Sequence, residues 1–368
     1  MTQCGRIDDV RRLAVLRANG IGDLVFVLPA LEALRAAYRT ARVTYLGGPM
    51  HAELLPGRVA TVDEVVVVPP SQGVWWPSGS VEDEATLAAF FAEQRGRGYD
   101  VAVQLHGGGA FSNPFLRRLG ARVTVGLRAP DAPPLDRTID YVYYQTEILR
   151  YLEVVGLLGA PPVTVEPRLT LRPEDRAAAA RAAPSGADEG PLVVVNPGAT
   201  DPRRRWPPER FAAVADVLAA DGASVVVVGD AGDRPLADAI LAAMRAPARS
   251  LAGALPLGPL CALLARAALV VSNDTGPLHL ARAVRTPTVG IYWIGNMING
   301  GWTTTDRHRA AISWTVACPQ CGTHVARGSC THRPSYVADV PVEEVVPLAR
   351  DLLRGPRSQA AEPADRGR

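Results

Sequence analysis

Three short stretches of this chain carry side chains whose types and spacing could do chemistry. In Val270–Leu280, a β-branched run gives way to Asn273, Asp274, Thr275 and Gly276, and an Ala-rich helical stretch follows at once. A strand, a tight turn and a helix start are expected there. First-turn N–H groups lack intrahelical partners and sit at the positive end of the dipole, so such a corner holds anions, most often phosphate. In this reading Thr275 caps the helix, Gly276 lets a ligand approach the backbone, and His279 lies one turn in on the same mouth. An ordinary capped βα turn uses the same residues, so this stretch alone leaves both readings open.

The second stretch, Asn196-Pro197-Gly198-Ala199-Thr200, ends an apolar run and precedes Arg203, Arg204, Arg205 and Trp206. Its backbone N–H groups together with Arg205 could clamp a diphosphate bidentately. Asp230 and Asp233 follow the next apolar run, where an acidic residue often meets a ribose hydroxyl; a solvated turn explains them equally well. The third stretch is Asn19-Gly20-Ile21-Gly22-Asp23. Asp23 at a helix start can cap the helix, or it can act as general base towards an incoming hydroxyl.

Composition removes whole classes of mechanism. The 39 basic side chains are all Arg. Without lysine there is no Walker P-loop, pyridoxal Schiff base, Ser-x-x-Lys acylation or kinase-type lysine. Arg cannot serve as a base, but its planar fork suits a diphosphate. A net charge of +2, with no basic block longer than Arg203–Arg205, argues against a nucleic-acid surface. No apolar leader opens the chain and no run approaches the roughly 20 residues that span a bilayer, so a cytoplasmic protein is expected. Five cysteines make an odd count, which speaks against a disulfide framework. Cys4 and Cys261 are isolated. Cys318, Cys321, Cys330 and His332 could hold a structural zinc, though reduced thiols in a loop are the favoured reading.

The elements that must position these residues alternate. Strands are expected at Leu13–Arg17, Val43–Leu46, Val65–Val68, Val101–Leu105 and Val123–Gly126. The helix after Asp23 contains Pro29, which should kink it. After a boundary in Leu171–Gly190, strands recur at Leu192–Asn196, Ser224–Gly229, Leu269–Ser272 and Thr288–Trp293, with helices between them. Alternation implies parallel sheets with right-handed crossovers. The expectation is an α/β protein of two Rossmann-like domains, 1–175 and 190–340, each with its own core and facing a central cleft. A helix within 341–354 should cross back to the first domain, ahead of a disordered tail, 355–368. The Gly-rich His106–Gly109 would form a wall of that cleft.

With these motifs in order, the chain resembles glycosyltransferase family 9, the bacterial heptosyltransferase-like enzymes of GT-B fold. The likeness covers roughly residues 11 to 353. It rests on Asn19–Asp23 with Pro29-Ala30-Leu31, on Asn196–Ala199 with Arg205-Trp206-Pro207, and on Asp274-Thr275-Gly276 with His279-Leu280-Ala281 and Pro287. The resemblance implies inverting, metal-independent transfer of a sugar, heptose or a related one, from a nucleoside diphosphate to a hydroxyl on a glycan or glycolipid. It implies an acceptor-binding first domain, with Gly20, Gly22 and His106 on that side, and a donor-binding second domain. Asp23 matches the catalytic base. Arg205 stands where members commonly carry a phosphate-binding lysine. Asn196, Gly198, Asp233, Asp274, Thr275, Gly276 and His279 fall on the donor side. No cofactor beyond the nucleotide sugar is implied. A monomer, peripheral to the inner membrane face and binding no nucleic acid, is expected.

Two rivals remain. A non-catalytic sugar-nucleotide binder would have no need of Asp23. An NAD-dependent oxidoreductase would need a third glycine where Val25 stands.

Overall fold

The computed structural model describes residues 5–183, 190–324 and 330–355. Cys4, the Pro184–Glu189 part of the expected boundary and the tail from residue 356 lie outside the described residues. The first half runs β1 (Arg12–Leu16), α1 (Ile21–Ala37), β2 (Arg42–Gly47), α2 (Pro49–Leu54), β3 (Glu64–Val67), α3 (Glu84–Gly96), β4 (Val101–Gln104), α4 (Ser112–Arg118), β5 (Val123–Arg128), β6 (Arg137–Asp140), α5 (Glu147–Gly156) and α6 (Pro173–Ala182). The second half runs β7 (Leu192–Asn196), α7 (Pro208–Ala220), β8 (Ser224–Val227), α8 (Arg234–Ala243), β9 (Arg249–Ser250), α9 (Leu257–Arg266), β10 (Leu269–Asn273), α10 (Gly276–Ala283), β11 (Thr288–Trp293), α11 (Ile294–Gly300), β12 (His308–Ser313) and α12 (Val342–Leu353).

Each half forms one six-stranded sheet, in the orders β3-β2-β1-β4-β5-β6 and β12-β11-β10-β7-β8-β9. Renumbered within the second half, both are the order 3-2-1-4-5-6 of a Rossmann-like fold. Every paired strand is parallel. The strands are β-branched and apolar because both faces are covered: Leu13, Val15, Val101, Val103, Val193, Val195 and Val271 are all buried. The order reverses between β1 and β4 and again between β7 and β10, where the strand carboxyl ends open a crevice. The α/β expectation of two Rossmann-like units therefore holds.

Three features differ from the sequence reading. The expected separate cores merge: one apolar cluster runs from Leu24, Leu28 and Leu31 of α1 to Leu263 and Leu264 of α9 and Leu280 of α10. The segment read as a boundary contains α6, whose buried Asp175 accepts two hydrogen bonds from the buried Arg58, at 2.7 and 2.6 Å. The last helix, α12, lies on α7 and beside β10–β12 of its own half. Its apolar stripe of Val345, Val346 and Ala349 is spent on a cluster with Trp206 and Phe211, which leaves it no reason to cross back. Helix α1 continues through Pro29. Among the described residues, no helix is long and apolar enough to cross a membrane.

Candidate functional site

Both switch points feed one cavity of about 460 Å³. Gly20, Ile21, Gly22, Asp23 and Phe26 line it from the first half. Thr275, Gly276 and His279 line it from the second. Helices α1 and α10 thus bring their N-termini to the same space. The approach is close: a Cβ on Gly22 would stand 2.9 Å from the His279 ring, nearer than Cβ atoms come, and one on Gly276 would press on the Ile21 side chain at 3.2 Å.

On the first wall, Asp23 does two jobs. One carboxylate oxygen accepts the Gly20 N–H at 3.0 Å, which satisfies the start of α1. The other accepts from Arg17 at 2.6 Å. Arg17 is 4% exposed, whereas the Asp23 side chain is 32% exposed and open to the cavity. Arg17 also binds Glu147, the first residue of α5, at 3.2 Å, and Glu147 is paired with the buried Arg150. The wall therefore holds two anchored carboxylates and two buried guanidinium groups. The Arg17 guanidinium holds the Asp23 carboxylate in place on this wall.

On the opposite wall, Asp274 is 5% exposed and fully engaged. It accepts from Arg204 at 3.4 Å, from His279 Nε2 at 3.1 Å and from the Asn296 amide at 2.6 Å. Burial raises its pKa, but these partners outweigh the burial and hold it below the usual carboxylate range. His279 is pushed the other way: burial lowers its pKa, with Asp274 opposing. Arg282 donates to His279 Nδ1 at 3.3 Å, so the neutral ring carries its proton on Nε2, towards Asp274. Arg282 also donates to the Gly300 carbonyl and so ties down the segment carrying Asn296 and Asn299. Asp274 holds Arg204, His279 and Asn296 together, while Thr275 and Gly276, at the N-terminus of α10, line the cavity. Thr275 is the N-cap residue of α10, but its hydroxyl makes no capping bond.

The remaining expected residues separate into a flank and a core. Gly198, Asp233 and Arg205 stand together beside the cavity. A Cβ on Gly198 would fall 2.2 Å from the Asp233 carboxylate, whose second neighbour by charge is Arg205. Arg205 donates to the Ala199 carbonyl at 2.9 Å, and it is Arg204 that reaches the cavity wall. Burial raises the Asp233 pKa. Asn196 is buried, away from the residues that line the cavity, and its amide donates to Ser272 at 3.0 Å, which joins β7 to β10. His106 is buried, accepts the Ala18 N–H at 3.3 Å and faces the Gly73 carbonyl at 3.1 Å, a satisfied core imidazole whose pKa burial lowers to about 3. Arg17, Glu147, Asn296 and Asn299 were missed, and Arg205 was preferred to its neighbour Arg204. A charged residue closing the apolar strand β1 was the available signal for Arg17; the others are set by packing between distant segments.

The profile of glycosyltransferase family 9 (heptosyltransferase) matches residues 87–323. Lipooligosaccharide heptosyltransferase 2 of Haemophilus influenzae is 25% identical over 301 residues, 76% of this chain and 82% of that protein. The crystal structure of a family 9 glycosyltransferase from Veillonella parvula superposes with a TM-score of 0.76 at 22% identity, covering 96% of this chain and 99% of that one. The Escherichia coli ADP-heptose lipopolysaccharide heptosyltransferase II superposes with a TM-score of 0.73 at 19% identity, covering 94% and 98%.

Proposed function

The chain belongs to glycosyltransferase family 9, and from that premise we propose inverting, metal-independent transfer of a heptose or related sugar, with ADP-heptose as the first donor to test, to a hydroxyl of a lipopolysaccharide-type acceptor. One observation carries this reading: an open carboxylate and a helix N-terminus with an arginine face each other across a single cavity. The first half serves the acceptor and the second the donor.

Asp23 takes the proton of the acceptor hydroxyl as that oxygen attacks the anomeric carbon. The glycosidic bond to the diphosphate breaks from the opposite side, so one displacement inverts the configuration without a covalent intermediate. Charge developing on the departing diphosphate meets the Arg204 guanidinium and the amides of Thr275 and Gly276, which are fixed before the reaction begins. Those groups supply the positive charge themselves. Gly198, Arg205 and Asp233 extend the donor site towards the nucleoside.

A glycolipid acceptor and action at a membrane face draw support from a second cavity, about 310 Å³, lined by Tyr143, Tyr144, Trp293, Ile298 and Val316. Tyr143, Tyr144 and nearby Trp314 are exposed, as an apolar docking rim requires.

The test is transfer from ADP-heptose to a core-truncated lipopolysaccharide, with the anomeric configuration of the product read by NMR and Mg²⁺ varied. Inverted product at a rate indifferent to Mg²⁺ is expected. Retained configuration, or tight nucleotide-sugar binding with no transfer to any acceptor, would overturn the proposal.

A further inference from the structure

The chain between β12 and α12 has no part in that chemistry, yet it gathers four soft ligands. One donor atom from each of Cys318, Cys321, Cys330 and His332 lies within 4.8 Å of all the others. The three thiols are free rather than joined to one another. Cys318 Sγ and His332 Nδ1 are 3.7 Å apart. With metal–sulfur bonds of about 2.3 Å and metal–nitrogen bonds of about 2.0–2.1 Å, a tetrahedron has edges of about 3.6–3.8 Å. That spacing is the one two ligands take on a single ion.

The backbone is shaped accordingly. The Gly322 N–H donates to the Cys318 carbonyl at 2.8 Å and the Cys318 N–H donates to the Thr323 carbonyl at 2.9 Å. This tight turn brings Cys318 and Cys321 together and needs φ +70° at Gly322, a value that favours glycine. Val337 and Val340 at the far end of this segment join the core, but the stretch leading into Cys318 leaves Trp314 and Val316 exposed. Short segments without a core need a staple, and a structural metal is one.

We propose that Cys318, Cys321, Cys330 and His332 bind one divalent transition ion, Zn²⁺ or Fe²⁺, as a structural centre that fixes the arginine loop of the donor site. Three thiolates and an imidazole suit either ion in tetrahedral geometry. The connection is short. A few residues beyond His332, the Ser335 hydroxyl donates to the Arg205 carbonyl at 2.6 Å and the Tyr336 N–H donates to the Arg203 carbonyl at 2.7 Å. The Arg203 guanidinium lies 5.7 Å over the Tyr336 ring. Anchoring Cys330 and His332 therefore holds the segment that brackets Arg204. The metal takes no part in sugar transfer; this second half of the proposal rests on the donor reading above.

Element analysis of the full chain, purified under reducing conditions, should give about one equivalent of zinc or iron and so distinguish the two ions. Cys318→Ser and Cys330→Ser should bring the content to background, while Cys261→Ser on α9 leaves it unchanged. Because the serine variants could fail to fold, the wild type is also stripped with a chelator. Stripping should lower Tm by several degrees and weaken ADP binding, both restored by Zn²⁺ or Fe²⁺ and not by Mg²⁺. Wild type that takes up neither ion on incubation overturns the site. Metal uptake with ADP affinity unchanged on stripping overturns the link to the arginine loop. A metal-loaded protein that binds no ADP counts against the donor reading instead, so the two failures are distinguishable.

Discussion

Two corners built on the same plan meet across the cavity, and their difference lies in what they do with a carboxylate. Each is a parallel strand, a glycine-bearing turn and a helix N-terminus at a switch point of the same strand order. At the first corner Asp23 stands inside the helix, satisfies the Gly20 N–H and stays open to the cavity. At the second, Asp274 stands before the helix, is buried, and is consumed by Arg204, His279 and Asn296. The first corner therefore presents negative charge and the second presents amides and a guanidinium. A fold that repeats itself gains complementary walls by moving one acidic residue relative to the helix start.

The comparison breaks most visibly if Asp23 is neutralised. Asp23→Asn keeps an oxygen for the Gly20 N–H but turns an amide N–H towards Arg17, which retains Glu147, so Tm should fall modestly while donor affinity changes little, and the amide cannot take the acceptor proton. The transfer rate should fall by roughly 10²–10⁴. Undiminished transfer with normal folding would leave Asp23 as a cap alone and shift attention to Glu147, the other carboxylate of that wall.

At the second corner, Arg204→Ala should weaken ADP binding by about 1.5–3 kcal/mol, the usual loss for a charge-assisted hydrogen bond. Arg205→Ala should do less, because Arg205 is turned to the Ala199 carbonyl and Asp233. Calorimetric titration of both variants decides it. The reverse ranking would mean that the loop turns over when donor binds.

This pair also marks the limit of what the sequence disclosed. Nine of the twelve strands, the two repeated halves and both corners were legible, since β-branched runs and glycine–acid turns are local features; the outer strands β6, β9 and β12 were not read. Which of three consecutive arginines enters the cavity was not, because the turn Pro202–Arg204 and its contact with Asp274 decide it. Asn196 and His106 looked functional for their types and loop positions. Burial, a long-range property, sets Asn196 between β7 and β10 and His106 between the Ala18 N–H and the Gly73 carbonyl. Glu147 was invisible because α5 reaches the cavity through the fold, from a segment more than a hundred residues away from Asp23.

Acid should expose a contrast between the buried histidines and the corners. Burial lowers His51 to about 4 and His106 and His308 to about 3, against about 6.5 in an unfolded chain. The unfolded state thus binds these protons first. Stability should be whole above pH ~6.5 and drain as pH falls towards 4, by up to about 1.4 kcal/mol per pH unit for each histidine. Denaturant midpoints at stepped pH measure it, and His106→Leu should remove one such contribution. A flat profile from pH 7 to 5 would contradict the neutral, buried assignment.

The smallest effect is the most pointed. Thr275 occupies the N-cap position of α10, where loss of a capping hydroxyl ordinarily costs about 1 kcal/mol. Its hydroxyl makes no such bond, Pro277 offers no N–H, and the Leu278 amide is already bonded to the Thr275 carbonyl at 3.1 Å. Thr275→Ala should therefore change stability by less than ~0.5 kcal/mol. Asp83, whose carboxylate accepts the Thr86 N–H at 3.0 Å at the start of α3, supplies the control; Asp83→Ala should show the ordinary cost. If Thr275→Ala costs as much as Asp83→Ala, the second corner is capped like any other helix. Its amides would then be satisfied internally, and the contrast with Asp23 would lose its anion-binding side. A negligible cost in the free protein, together with a measurable loss of ADP affinity, would put the Thr275 hydroxyl on the ligand rather than on its own helix.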